Sequence, residues 1–238
     1  MNKVTKITLA GEGGQGVQSI AEILAEAANS QGKYALYIPN FGVEQRGGVS
    51  IAYVQISDKQ IGSPKFTKAD ILIPLSPRAV KRTQNQAGKD TIYIYDNSLI
   101  QQGEVGDNIV GLQYFDVTPP CPTSDSPNSD MQQDMIAGEP KTCSFTREGP
   151  GVNPEDIPEV KKVIGIPAND IAKEELHPRV FNVIILGAVI AATKVLPLDS
   201  IKEALEERLG DKFKTNPDLR IMNFTALERG YELIEGAM

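Results

Sequence analysis

Two rhythms of apolar residues run through the first part of this chain. KITLA, residues 6–10, is a short apolar run of strand length. Beyond a cluster of glycines, Val17, Ile20, Ala21, Leu24, Ala27 and Ala28 recur at three and four, laying an apolar stripe along a helix that ends near Gly32. ALYI (35–38), SIAYVQI (50–56), ILIPL (71–75) and TIYIY (91–95) return to the short, β-rich pattern. Such alternation predicts one α/β domain built on a layered sheet. Proline has no N–H to give a ladder, so Pro74 places the fourth strand near a sheet edge or ends it early.

The pattern breaks between Val117 and Pro158, where eight of the chain's 16 prolines fall together with the apolar-poor stretch SDSPNSDMQQDM. A segment of this kind cannot supply core. It is expected to be a solvent-exposed insertion, with a lid or partner-docking arm as the alternative. Regular patterning resumes with KVIGI (162–166) as a strand and PANDIAKEEL as a short helix. VFNVIILGAVIAATKVL is apolar on nearly every side, which predicts a helix packed against several neighbours. Residues 198–209 and 219–234 read as two amphipathic helices joined through GDKFKTNP, with Gly210 closing the first and Asn216-Pro217 opening the second.

Composition narrows the chemistry. Of the 238 residues 40% are hydrophobic, the formal net charge is -7, and no basic run is present. The electrostatic footprint of phosphate-backbone binding is missing, so nucleic acid is not an expected partner. The longest apolar run, VIILGAVIAA, is too short to span a bilayer, and the N-terminal segment has no apolar stretch of signal-peptide length. No membrane association and a cytoplasmic location are therefore expected. Two cysteines, Cys121 and Cys143, and one histidine, His177, fall in no metal-binding spacing, so no intrinsic metal site is expected. A reducing compartment would leave the cysteines as free thiols, although their spacing permits a bridge. His177 stands before Pro178 at a helix entry and reads as structural rather than catalytic.

The strongest chemical signal is GEGGQGV, in which Gly11, Gly13 and Gly16 fit G-x-G-x-x-G between a strand and a helix. In that setting free backbone N–H groups and the positive end of the helix dipole receive a phosphate. A dinucleotide site would add an acid about 20 positions on, at the end of the second strand. Residues 30–43 contain no Asp or Glu, and Glu44 lies beyond the strand. A Walker loop fails as well, because neither Lys nor Ser follows Gly16 in the required place. A second stretch, FGVEQRGGVSIAYVQIS, sets Glu44 and Arg46 before Gly47-Gly48 and a strand. Arg46 can clamp a phosphate or carboxylate with two prongs, or pair with Glu44 to hold a turn. Both glycine stretches fall on loops leaving strands, which is the ligand face of open α/β sheets.

Taken in order, GEGGQGV, FGVEQRGG, IGSPKFTKADILIPL with Ser63-Pro64 and Ala69-Asp70, and RVFNVIILGA with Asn182 and Gly187 resemble the gamma subunit of the 2-oxoacid:ferredoxin (acceptor) oxidoreductases. Those enzymes act on pyruvate, 2-oxoglutarate or branched 2-oxoacids such as ketoisovalerate. The likeness covers residues 6–95 and about 160–235. It implies an α/β fold: a Rossmann-like layered open sheet with helices on both faces, a helical C-terminal third and an irregular insertion at about 117–158, in a single gamma-type domain over residues 1–238. It also implies a subunit with no catalytic residues of its own. Coenzyme A would be held at the interface with the other subunits by Gly11, Glu12, Gly13, Gly14, Gln15, Gly16, Val17, Glu44, Arg46, Gly47 and Gly48. Thiamine diphosphate and its magnesium would sit on alpha and beta partners. Iron–sulfur clusters there and on a ferredoxin-like delta subunit would pass electrons to ferredoxin. The chain agrees by omission, since its nearest match to a thiamine GDG motif, Gly106-Asp107-Asn108, lacks the third glycine, and no cluster-binding cysteine set is present.

Three other readings stay open. One is a free-standing nucleotide-binding oxidoreductase, and another is a non-enzymatic interaction protein on the same fold. The third is the beta subunit of an indolepyruvate oxidoreductase, which carries a similar glycine turn and a QRGG-like motif. FGVEQRGG followed by ISDKQIGSP is closer to the gamma type.

Overall fold

A six-stranded sheet organises the protein in the computed structural model, which describes residues 4–41, 48–100 and 159–238. The expected insertion at 117–158 with Cys121 and Cys143 lies outside them, as do Glu44, Arg46 and Gly47. The strands are β1 (Thr5–Glu12), β2 (Tyr34–Phe41), β3 (Val49–Ser57), β4 (Ile71–Pro74), β5 (Ile92–Asp96) and β6 (Lys162–Ile166), in the spatial order β2-β3-β1-β4-β5-β6. β1, β4, β5 and β6 run parallel, whereas β3 is antiparallel to both β1 and β2. Only residues 42–48 separate β2 from β3. A parallel crossover needs about a dozen residues or more, so the two strands pair as a hairpin and β3 rather than β2 lies beside β1.

Helices cover both faces, as expected. α1 (Val17–Ser30), α3 (Ala168–Glu174), α4 (Phe181–Thr193), α5 (Leu198–Thr215) and α6 (Pro217–Glu235) build one side. There Ile7 and Leu9 of β1, Val54 and Ile56 of β3 and Ile73 of β4 join the buried faces of α1 and α4 in the main core. The alternate residues of these strands and of β5, among them Ala10, Ile51, Leu72 and Tyr93, point the other way and pack with Ala79 and Val80 of α2 (Pro77–Thr83). α2 is an element that the sequence pattern did not single out. Its start is nonetheless written in Ser76-Pro77: Ser76 Oγ accepts from the Ala79 N–H at 3.2 Å, and Pro77 fills the first helical position.

α4 is buried on every side from Val183 to Ala192, as its all-apolar sequence requires. α6 crosses it at backbone distance, and Gly187 and Gly230 make that crossing possible. A Cβ on Gly187 would collide with the carbonyl oxygen of Leu227 and stand 2.9 Å from the Tyr231 nitrogen, and one on Gly230 would collide with the Ile184 carbonyl. Gly187, singled out by its place in RVFNVIILGA, therefore serves packing.

Two expectations need correction. Gly210 does not end a helix, because α5 continues through it to Thr215. The periodic apolar signal stops at Leu209, but Phe213 is buried against the ring of Phe224 and draws the last turn onto α6. Asn216-Pro217 does open α6. Pro74 does end β4, but the strand is central, between β1 and β5. At the last position of a strand, proline removes a donor only where the ladder stops, and the next residue, Leu75, resumes it by donating to the Ala10 carbonyl at 2.8 Å.

The two glycines give opposite expectations for alanine. Gly187→Ala overfills the α4–α6 crossing and is expected to cost about 3 kcal/mol or more. Gly210→Ala meets open space in a helix interior and is expected to gain about 0.5–1 kcal/mol. Urea unfolding of the two variants beside the parent checks both; equal midpoints for Gly187→Ala and the parent would refute the close crossing.

Candidate functional site

The glycine turn closes β1 and opens α1. Gly11 and Glu12 are the last residues of the strand, Gly13 and Gly14 form an exposed corner, and Val17 begins the helix with its side chain buried. Gly14 and Gly16 have φ of 100° and 75°, in the left-handed region that residues with a Cβ avoid. A Cβ on Gly16 would also lie 2.9 Å from Asn182, in the first turn of α4, so the turn rests directly on that side chain. This is the physical role of Asn182 in RVFNVIILGA. Gly16 occupies the position where Ser, Thr or Asp would ordinarily cap a helix. α1 accordingly has no side-chain cap and no acid in its first turn. Its positive end is left to an outside acceptor.

Gln15 braces this turn. Its Oε1 accepts from the Glu12 N–H at 2.6 Å, and its Nε2 donates to the carbonyl of Leu75 at 2.7 Å. The second bond crosses from β1 to the chain leaving β4. Here the fold divides: from β1 the chain enters α1 on one face of the sheet, and from the adjacent parallel β4 it enters α2 on the other. In open α/β sheets ligands bind in the crevice at such a switch point. Arg78, in the first turn of α2, is buried at 6% exposure and brings a cation to this side of the molecule. Sequence reading missed it because nothing distinguishes it from a surface arginine until α2 is placed.

The other sequence-singled residues fall out differently. Gly48, half-buried, directly precedes β3. Asp70 ties the start of β4 to β1: its Oδ2 accepts from the Lys6 N–H at 2.8 Å. The carbonyl of Ser63 accepts from Gln55 Nε2 at 2.9 Å, and Ser63 Oγ donates to the Lys65 carbonyl at 3.0 Å. These motif residues hold the scaffold. His177 is exposed, and its Nδ1 accepts from the Arg179 N–H at 3.1 Å to start a 3-10 turn over Pro178–Val180, the structural role expected of it. β2 carries no acid, and β3 separates it from β1. A ribose-binding carboxylate at its end would thus stand two strands from the glycine turn, which disfavours a dinucleotide.

A further carboxylate at the carboxyl ends of the strands escaped the sequence reading. Asp96, the last residue of β5, is fully buried. Its Oδ1 accepts from the Ser98 N–H at 2.8 Å and the Ser98 hydroxyl at 2.5 Å, and its Oδ2 accepts from the Asn169 N–H at 2.8 Å in the first turn of α3. Burial pushes its carboxyl above the usual aspartate value, against the opposing pull of those bonds. Asp96 is fully satisfied and anchors α3 to the sheet.

Glycine turn and sheet order together define an α/β protein with an uncapped helix start at the carboxyl end of β1. Residues 6–233 match the family described as pyruvate ferredoxin/flavodoxin oxidoreductase, and the chain belongs to that family. It is 26% identical over 233 residues to the pyruvate synthase subunit PorC of Thermotoga maritima, covering 98% of this chain and 96% of that one. It is 27% identical to the ketoisovalerate oxidoreductase subunit VorA of Methanothermobacter thermautotrophicus, of which it spans 38%. The fold matches a keto/oxoacid ferredoxin oxidoreductase gamma subunit from Geobacter sulfurreducens with a TM-score of 0.63 at 21% identity, over 98% of this chain and 99% of that one. It also matches 32% of a chain of the 2-oxoglutarate:ferredoxin oxidoreductase from Magnetococcus marinus, determined with 2-oxoglutarate, coenzyme A and succinyl-CoA bound, with a TM-score of 0.68 at 20% identity over 99% of this chain. No helix among the described residues is long and apolar enough to cross a membrane.

Because the native state holds the Asp96 proton more tightly than the unfolded chain does, the contribution of this group to stability is largest below about pH 4 and falls as pH rises through the folded value. Asp96→Asn removes that titration. Urea unfolding across pH 3.5–7 is expected to show the stability of the parent relative to Asp96→Asn declining with pH; a difference that grows with pH would contradict the assignment.

Proposed function

We propose that this chain is the gamma subunit of a multisubunit 2-oxoacid:ferredoxin oxidoreductase that converts a 2-oxoacid and coenzyme A to acyl-CoA and carbon dioxide, two electrons passing to ferredoxin. In this reading the chain forms a single gamma-type domain over residues 1–238 and is a soluble cytoplasmic subunit. It binds coenzyme A at its interface with alpha and beta partners and performs no bond-making step itself. Thiamine diphosphate, magnesium and iron–sulfur clusters belong to those partners and to a ferredoxin-like delta subunit.

One observation carries the reading: the uncapped, acid-free start of α1 lies behind an exposed Gly13-Gly14 corner, at the end of the sheet where β1 and the adjacent parallel β4 send their helices to opposite faces. Nothing lies within 4 Å of where a Cβ would stand on either glycine, so a bulky anion can approach the backbone amides closely. A diphosphate fits these donors, and the absence of a ribose-binding acid on β2 favours coenzyme A over a dinucleotide. Bound coenzyme A supplies the thiol that takes the acyl group. The part of this chain is to hold the diphosphate on the turn, with Gln15 keeping the turn in shape and Arg46 adding a cation, a role that rests on its place in FGVEQRGG. Support for coenzyme A also comes from the Magnetococcus marinus relative, whose structure contains it.

Gly13→Asp tests this reading. Gly13 is exposed with no left-handed φ, so aspartate is accommodated without strain while its carboxylate repels a diphosphate. In the assembled complex the KM for coenzyme A is expected to rise roughly tenfold or more, equivalent to about 1.4 kcal/mol or more, with the KM for the 2-oxoacid unchanged. Arg46→Ala is expected to raise the same constant. Coenzyme A kinetics identical to the parent in both variants would remove the assignment.

A further inference from the structure

β2 and β6 are the outer strands of the sheet, and the two edges are finished differently. β6 exposes Val163, but it is only five residues long and contains Gly165, and its first residue, Lys162, donates to the Ala237 carbonyl at 2.6 Å. Short length and an edge lysine are means by which proteins keep other strands from adding on. β2 has eight residues, YALYIPNF, with no charged side chain, and it leaves Tyr34 51% and Phe41 67% exposed. Its one guard is Pro39. A proline in a paired edge strand turns its nitrogen outward, so Ala35 and Tyr37, four and two residues before it, also face their backbone outward and keep their donors.

A hollow of about 320 Å³ lies against this strand, lined by Ile38 and Asn40 of β2, Tyr53 of β3 and residues 64–66. The last of these follow the Ser63-Pro64 motif, and the structure holds them over the sheet. Gln55 Nε2 donates to the Ser63 carbonyl at 2.9 Å, and the Phe66 ring stands edge-on to that of Tyr53 with centroids 5.7 Å apart. The Tyr53 hydroxyl is fixed in turn, accepting from Gln86 Nε2 at 2.8 Å. The hollow is thus a built feature. Lys65 lines it, is exposed, and has no carboxylate partner among the described residues.

We propose that the β2 edge and its hollow are the docking site for an extended segment of a partner subunit, which adds a strand beside β2, sets an apolar side chain in the hollow and brings a carboxylate to Lys65. Strand addition draws affinity from main-chain hydrogen bonds and specificity from pockets that take alternate side chains, and this edge offers both. A second copy pairing through its own β2 fits less well. That strand has no carboxylate to offer Lys65, and Asp58, just beyond the Ser57 that pairs with Tyr34, is already held by Lys33 at 2.5 Å. The inference rests on the function proposed above in that it requires partner subunits.

Hydrogen–deuterium exchange of the full chain, alone and in the complex purified with its partners, tests it. The amides of Ala35 and Tyr37 are expected to exchange roughly tenfold or more slowly in the complex. Equal rates in the two states, in a complex that does form, would overturn the inference and leave the proposed function standing. If no partner subunit copurifies, the proposed function fails and takes the inference with it. Slow exchange already in the chain alone would overturn the choice of occupant, in favour of a second copy if it depends on protein concentration and of a segment of this chain if it does not. Lys65→Glu is expected to slow assembly with the partner subunits roughly tenfold at low salt and less at high salt. Its melting temperature alone should match that of the parent, and Lys65→Arg should assemble at the parent's rate. An unchanged rate for Lys65→Glu would overturn the acidic docking segment.

Discussion

The architecture depends on one constraint: α4 has no polar face and must be covered all round. Val183 to Ala192 are buried, and each fully buried Ile or Leu contributes about 1.5–3 kcal/mol relative to exposure. The sheet covers one side, α1 and α3 flank it, and α6 closes the last side by approaching to backbone distance at Gly187 and Gly230. Because the layer is this tight, the start of α4 is fixed in place. Asn182, in its first turn, then forms the floor under Gly16.

Site geometry follows from that floor. Gly16 can sit against Asn182 only without a side chain, and its left-handed φ turns the chain abruptly into α1. The same missing side chain removes the helix cap. A packing requirement and an anion-receptive helix end therefore share one residue. Gln15 then fastens the turn to Leu75, so the start of α1 is held from beneath by α4 and from the side by the chain leaving β4. Backbone amides at an uncapped helix start can receive an anion without a charged side chain of their own.

Much of the fold was legible in the sequence. The stripe Val17, Ile20, Ala21, Leu24, Ala27 and Ala28 is buried as its spacing requires, and the β-rich runs mark all six strands to within a few residues. Strand order was not legible. Periodicity is local and does not say that β3 inserts antiparallel between β2 and β1. The short link between β2 and β3, too short for a crossover, was the available signal. Gly210 misled for a related reason, since glycine can end a helix or lie within one, and the contact of Phe213 with Phe224 decided between them.

By itself the sequence determined which residues could form strands and buried helices, and that a glycine turn between β1 and α1 could receive an anion. These properties are set by side-chain spacing and by backbone freedom, and both are local. Only the tertiary structure decided that β1 and β4 send their helices to opposite faces, that Gln15 and Gln18 tie the turn to β4 and to the hairpin, and that Asp96 anchors α3. Each of these joins residues far apart in the chain. A glutamine or aspartate reads the same in sequence wherever it lies, and acquires its role from the donors and carbonyls that the packed layers bring within hydrogen-bond reach.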